Sequence, residues 1–179
     1  RTVKTCAGEQ WCRFGTQDSI RLGINIEKMT WGSWTPHKFK IAVSGCPRNC
    51  AEATIKDFGV VAVDSGFELH IGGNGGINVR VSDLLCKVQS EADVMEYVGA
   101  FMQLYREQAR YLDRTAPWIE RVSLSYIQDQ IVKDANNRKR LHERFLLSQS
   151  FAQEDPWKDC YSNPIKRAEF ETLTIGEPS

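Results

Sequence analysis

Two spaced pairs of cysteines constrain this chain more than any other feature. Cys6 and Cys12 form a C-x5-C pair, and Cys46 and Cys50 form a C-x3-C pair within Ser44-Gly45-Cys46-Pro47-Arg48-Asn49-Cys50-Ala51. Four thiolates in two pairs are the ligand complement of one metal centre. A fold that joins them must carry the start of the chain to the segment around Cys46.

Spacing alone leaves a zinc ion, an iron-sulfur cluster or no metal open. Structural zinc sites favour C-x2-C or C-x4-C knuckles, often completed by histidine. His37, His70 and His142 are scattered and show no ligand spacing. Disulfide-rich domains are usually small and loop-rich, whereas this chain of 179 residues, 41% hydrophobic, carries helical and strand patterns that build a core without staples. Cys86 and Cys160 match no ligand spacing and are expected to be free thiols, Cys86 buried.

Charge narrows the partners. With 23 basic and 23 acidic residues the formal net charge is zero, so neither nucleic acid nor an anionic membrane finds a dominant basic field. No apolar run reaches the ~18 residues of a membrane span, and no export leader is visible. A cytoplasmic protein is expected. The sequence opens at Arg1, close to Cys6 and without Met, and is expected to be a piece of a longer protein.

The periodicity predicts an amphipathic helix over 16–30, starting at Thr16 or Asp18, and a strand over 39–44 that runs into Cys46. Pro47 suits the first position of a helix, and a helix continuing over 51–56 would put Cys46 and Cys50 one turn apart. Three strands are expected over 59–64, 67–71 and 77–81, with Gly72 to Gly76 as a hairpin turn. That glycine-rich stretch lacks the lysine ending of a phosphate-binding loop. Ser90 and Asp93 resemble a capping box opening a long helix that ends at 115–117; helices over 118–132 and 136–149 follow. The fold class is therefore α+β: a small mixed or antiparallel sheet with packed helices, then a helical C-terminal segment. Residues 1–150 form one domain and 151–179 an irregular tail.

Several segments carry a family resemblance. Thr5-Cys6, Cys12-Arg13-Phe14-Gly15-Thr16-Gln17-Asp18 and Ser44 through Ala53 together resemble the sirohaem and [4Fe-4S] domain of nitrite and sulfite reductases. Leu69-His-Ile-Gly-Gly-Asn-Gly-Gly76, Tyr97-Val-Gly-Ala and Ala116-Pro-Trp118 are similar to the C-terminal part of the large subunit in the assimilatory, NAD(P)H-dependent nitrite reductases of that family. The resemblance covers about the first two thirds of the chain.

It implies that Cys6, Cys12, Cys46 and Cys50 ligate a [4Fe-4S] cluster and that Cys50 also bridges to the iron of sirohaem. Arg48 and Asn49 are implied contacts of the sirohaem carboxylates, with Arg13, Lys38, Lys40 and Arg80 as weaker candidates. The implied activity is reduction of nitrite to ammonium by six electrons from NAD(P)H, with sulfite reduction to sulfide as the alternative within the family. A four-cysteine zinc scaffold is the alternative from another class. The basic residues that bind the anion, the FAD and NAD(P)H sites and a small subunit are implied to lie outside this chain, leaving the isolated piece inactive.

Overall fold

The computed structural model describes residues 2–153 and 155–169. Strand β1 (Lys4–Thr5) leads into Cys6, followed by a single helical turn α1 (Gly8–Trp11) and helix α2 (Ser19–Thr30). Asp18 starts α2, its carboxylate accepting the Arg21 N–H, because a short acidic side chain satisfies an N–H that the first turn leaves without a helical partner. Strand β2 (Ile41–Ser44) runs into Gly45 and Cys46. Strands β3 (Phe58–Val63), β4 (Gly66–Ile71) and β5 (Asp83–Val88) complete a sheet of order β1-β2-β3-β4-β5.

The sheet is mixed. β1, β2 and β3 run parallel, with Lys4 opposite Ala42 and Ile41 opposite Phe58, whereas β3, β4 and β5 are antiparallel. Because β1 and β2 are parallel neighbours, their carboxyl ends lie side by side, and each leads directly into one cysteine pair. The crevice outside the carboxyl ends of parallel strands is where open sheets place their sites.

The period-two alternation of β3 and β4 sends Phe58, Val60, Ala62, Phe67, Leu69 and Ile71 to one face. There they meet helix α3 (Glu91–Gln108), helix α4 (Thr115–Val122) and helix α5 (Leu124–Gln128), which continues as a π-helical turn over Asp129–Lys133. Phe101 and Tyr105 of α3 pack on Trp118 of α4 with ring centroids 5.8 and 5.3 Å apart. Helix α6 (Ala135–Ala152) crosses α3 at Gly99, where a Cβ would stand 2.3 Å from His142 Nδ1. Asp57, fully buried, fastens the sheet to α4: it accepts from the Lys40 N–H at 2.8 Å, from Arg114 Nη2 at 2.8 Å and from the Thr115 hydroxyl.

The opposite face carries a smaller cluster, Ala42, Ala51, Ala53 and Val61, with Cys6 against it. A short 3-10 turn, Ala53–Ile55, lies on this face directly over Gly59. A Cβ on Gly59 would stand 2.1 Å from the Ala53 carbonyl oxygen, so the turn can lie there only over a glycine.

Several expectations are corrected. No helix starts at Pro47. Asn49 and Glu52 adopt positive φ, 55° and 58°, and the chain makes turns up to the 3-10 segment. Residues 77–81 do not join the sheet: Asn74 and Arg80 form one antiparallel bridge inside a loop, and 83–88 pair with β4 instead. The Arg80 side chain holds that loop, donating to Glu120, Asp83 and the Gly72 carbonyl. α3 ends at Gln108, and Thr115 begins a helix rather than ending one. Pro117 sits in the first turn of α4, where its missing N–H removes no helical bond. Cys86 is half-buried, not buried. Within the expected irregular tail, helices α7 (Pro156–Ser162) and α8 (Pro164–Ala168) form, each capped by the side chain before its proline; residues 170–179 lie outside the described residues. No helix among the described residues is long and apolar enough to cross a membrane.

Candidate metal centre

Cys6, Cys12, Cys46 and Cys50 line one cavity of about 340 Å³, together with Gly8, Gly45, Phe14 and Arg48 among others. The first pair is presented by the turn after β1 and the second by the turn after β2. Backbone hydrogen bonds lace the two turns together: Thr16 N–H donates to the Gly45 carbonyl at 2.7 Å, and Cys6 N–H to the Val43 carbonyl at 3.4 Å. Gly8, at φ 65°, allows the first turn to reverse before α1.

The four sulfurs differ in setting. Cys46 is 6% exposed, whereas Cys50 stands at the exposed side of the cavity. Cys6 Sγ accepts the Gly45 N–H at 3.0 Å and lies 3.5 Å from Ser19 Oγ. Burial pushes the Cys6 thiol up, but the hydrogen bonds from Ser19 and the Gly45 backbone outweigh it, leaving the thiol below its ordinary value. A sulfur already favouring the thiolate is prepared to ligate metal.

Asn49 shapes the second turn. Its Oδ1 accepts from Ser44 Oγ at 3.2 Å and from the Ala53 N–H at 2.7 Å, while Nδ2 donates to Thr54 Oγ1 at 2.7 Å. Ser44 Oγ takes the Ala51 N–H at 3.2 Å. These side-chain bonds compete with helix formation, which is why Pro47 does not open a helix. The Asn49 amide, with both its ends bonded within the loop, gives the loop its shape.

Arg48 does face the cavity. Its guanidinium lies 3.9 Å from the centre of the Phe14 ring, and that of Arg13 lies 4.6 Å from the same ring. Two cations thus share one half-exposed aromatic at the mouth. The other basic candidates are elsewhere: Lys38 lines a separate groove with Phe39 and Met102, Lys40 is tied through its backbone to Asp57, and Arg80 is held by Glu120 and Asp83. Ser19, Gly8 and Phe14 belong to the site without a signal in the cysteine spacing, since their roles depend on how the two turns cross.

Among the described residues no three His, Cys, Asp or Glu side chains converge tightly enough to hold a single metal ion. One zinc ion, with Zn–S near 2.3 Å, would require thiolates about 3.8 Å apart. Thiols ringing a cavity of about 340 Å³ fit a centre containing several metal atoms, each taking one sulfur. The donor set, all thiolate, is that of a [4Fe-4S] cluster.

A family model for the nitrite and sulphite reductase 4Fe-4S domain matches residues 1–139. The chain belongs to that family. Within the nitrite and sulphite reductase family it is 57% identical over 159 residues to nitrite reductase [NAD(P)H] of Bacillus subtilis, covering 89% of this chain and 20% of that protein. It is 36% identical over 173 residues to the nitrite reductase (NADH) large subunit of Escherichia coli, covering 96% of this chain and again 20% of the relative. The chain therefore spans about a fifth of the length of these curated relatives. The crystal structure of dissimilatory sulfite reductase I has the same fold, with a TM-score of 0.65 at 14% identity over 72% of this chain and 51% of that one.

Proposed function

We propose that this chain is the part of a nitrite reductase that carries a [4Fe-4S] cluster and one wall of a sirohaem site, in an enzyme that reduces nitrite to ammonium with six electrons from NAD(P)H. The convergence of all four cysteines on one cavity supports this reading most directly, in a chain 57% identical to a nitrite reductase. Cys6, Cys12, Cys46 and Cys50 hold the cluster, and the exposed Cys50 is also the thiolate shared with the sirohaem iron. Bound together, the two groups store electrons and pass them one at a time to the substrate.

The chain's own residues hold and polarise. The Gly45 N–H donates to the Cys6 sulfur and disperses part of its charge. Arg48, braced on Phe14, offers a guanidinium at the cavity mouth where a tetrapyrrole carboxylate can be paired, and Arg13 offers a second. Asn49 acts at one remove, fixing the turn that sets Cys46 and Cys50. FAD, NAD(P)H and nitrite bind the remainder of the polypeptide, a small subunit is the expected partner, and the isolated piece has no turnover. Unpaired thiols at all six cysteines suit the reducing cytoplasm.

Sulfite reduction is the second reading, since the matching family includes both activities. The full-length protein, purified without oxygen, tests the choice: nitrite should drive NAD(P)H oxidation with three NAD(P)H consumed per ammonium formed. Faster turnover with sulfite, yielding sulfide, would reverse the assignment.

A further inference from the structure

Of the four sulfurs at the cavity, Cys6 is the one with hydrogen-bond partners among the described residues: the Gly45 N–H at 3.0 Å and Ser19 Oγ at 3.5 Å. Ser19 is 1% exposed and is the first residue of α2, yet the helix is capped by Asp18, so its hydroxyl has no capping duty. It stands where the two cysteine turns cross. A Cβ on Gly8 would lie 2.9 Å from Ser19 Oγ, and one on Gly45 3.1 Å from it.

This buried hydroxyl has one proton and two acceptors within reach, the Cys6 carbonyl oxygen at 3.0 Å and Cys6 Sγ at 3.5 Å. With Cys6 as a neutral thiol, the S–H donates to Ser19 Oγ while the hydroxyl donates to the Cys6 carbonyl. A thiolate bound to iron has no proton to give. The sulfur is then an anionic acceptor, and rotation about the Ser19 Cβ–Oγ bond turns the hydroxyl toward it without moving the backbone.

We infer that Ser19 is a positioning residue that donates its hydroxyl proton to the Cys6 thiolate of the bound cluster and, with the Gly45 N–H, raises the cluster's reduction potential. The inference rests on the cluster assignment above. A hydrogen bond to a ligating thiolate withdraws electron density from it and favours the more negative, reduced cluster. Cys12, Cys46 and Cys50 receive no comparable bond among the described residues, so the cluster is polarised toward its Cys6 corner, the corner remote from the shared thiolate.

The test uses the full-length protein and its Ser19→Ala variant, both prepared without oxygen and analysed for iron and sulfide before an EPR-monitored redox titration. The variant should retain the cluster, with its reduction equilibrium constant lowered by a factor of roughly three to ten, which is about 30 to 60 mV more negative for one electron. After exchange into D₂O, deuterium ENDOR of the reduced wild type should show two strongly coupled exchangeable deuterons, from Gly45 and Ser19, and the variant should show one. An intact cluster with unchanged potential and unchanged deuteron couplings would overturn the role of Ser19 and leave the cluster assignment standing. If Ser19→Ala fails to hold a cluster, the wild-type spectrum decides: no hydroxyl deuteron coupled to the cluster overturns the inference. Wild-type protein without iron and sulfide overturns the inference and the cluster assignment together.

Discussion

A Cβ placed on Gly45 would stand 2.9 Å from the Cα of Gly8. The two cysteine turns therefore touch backbone to backbone, and the gap between their sulfurs is set by a contact that only glycine allows. Gly45→Ala is expected to push the turns apart, destabilising the domain by about 1–3 kcal/mol through overpacking and lowering iron bound per chain. Urea denaturation and iron analysis of the variant check both effects. Full iron content with wild-type stability would show that the turns have slack.

Asp57 is expected to be the costliest polar residue to remove. Its buried carboxylate is paired with Arg114, itself mostly buried, and also accepts from the Lys40 backbone and the Thr115 hydroxyl. Asp57→Ala leaves that guanidinium and two donors without their acceptor, and should lower the unfolding free energy by about 3–5 kcal/mol. Because the pair lies on the core side of β3, the spectrum of the cluster in the surviving folded fraction should be unchanged.

Stability should fall on the acid side of neutrality. Burial depresses the His142 imidazole below its ordinary value, offset only in part by Glu96 and Glu143, and burial depresses His70 likewise against the opposing effect of Glu68. Each imidazole thus takes up its proton more readily in the unfolded chain. Their contribution is fully present above the unfolded value of about 6.5 and is lost as pH falls through the folded values. The urea midpoint should drop between about pH 7.5 and pH 5.5. That drop should be smaller in His142→Gln, and an equal drop would remove His142 from the explanation.

Cys50 and Cys86 should respond in opposite ways to serine. Cys50 lines the cavity with the other three thiols, whereas Cys86 lies on β5 opposite Leu69, its thiol pushed up by burial. In the full-length protein Cys50→Ser is expected to abolish both the cluster signal and normal sirohaem absorption. Cys86→Ser should leave both intact.

Local chemistry was legible in the sequence wherever a side chain acts on its own neighbours. Asp18 at the start of α2, the Ser90–Asp93 capping box and the alternation of β3 and β4 all follow from patterns a few residues long. The mixed sheet and the gathering of Cys6, Cys12, Cys46 and Cys50 also matched expectation. What escaped depends on distant partners. Asn49 breaks the helix that Pro47 advertises because Ser44, Ala53 and Thr54 claim its amide. Ile77, Val79 and Val81 alternate like a strand yet stay exposed, because Arg80 is tied to Glu120 across the fold. Ser19 looks like an ordinary first-turn serine until the two turns cross over it.

Metal and acid-labile sulfide analysis of the full-length protein, purified without oxygen, bears most directly on the four-cysteine centre. About four iron and four sulfide per chain beyond the sirohaem iron, without zinc, is the result predicted, and Cys6→Ser, Cys12→Ser or Cys46→Ser should each lower both counts together. Stoichiometric zinc with neither iron nor sulfide would contradict the assignment of Cys6, Cys12, Cys46 and Cys50 to a [4Fe-4S] cluster.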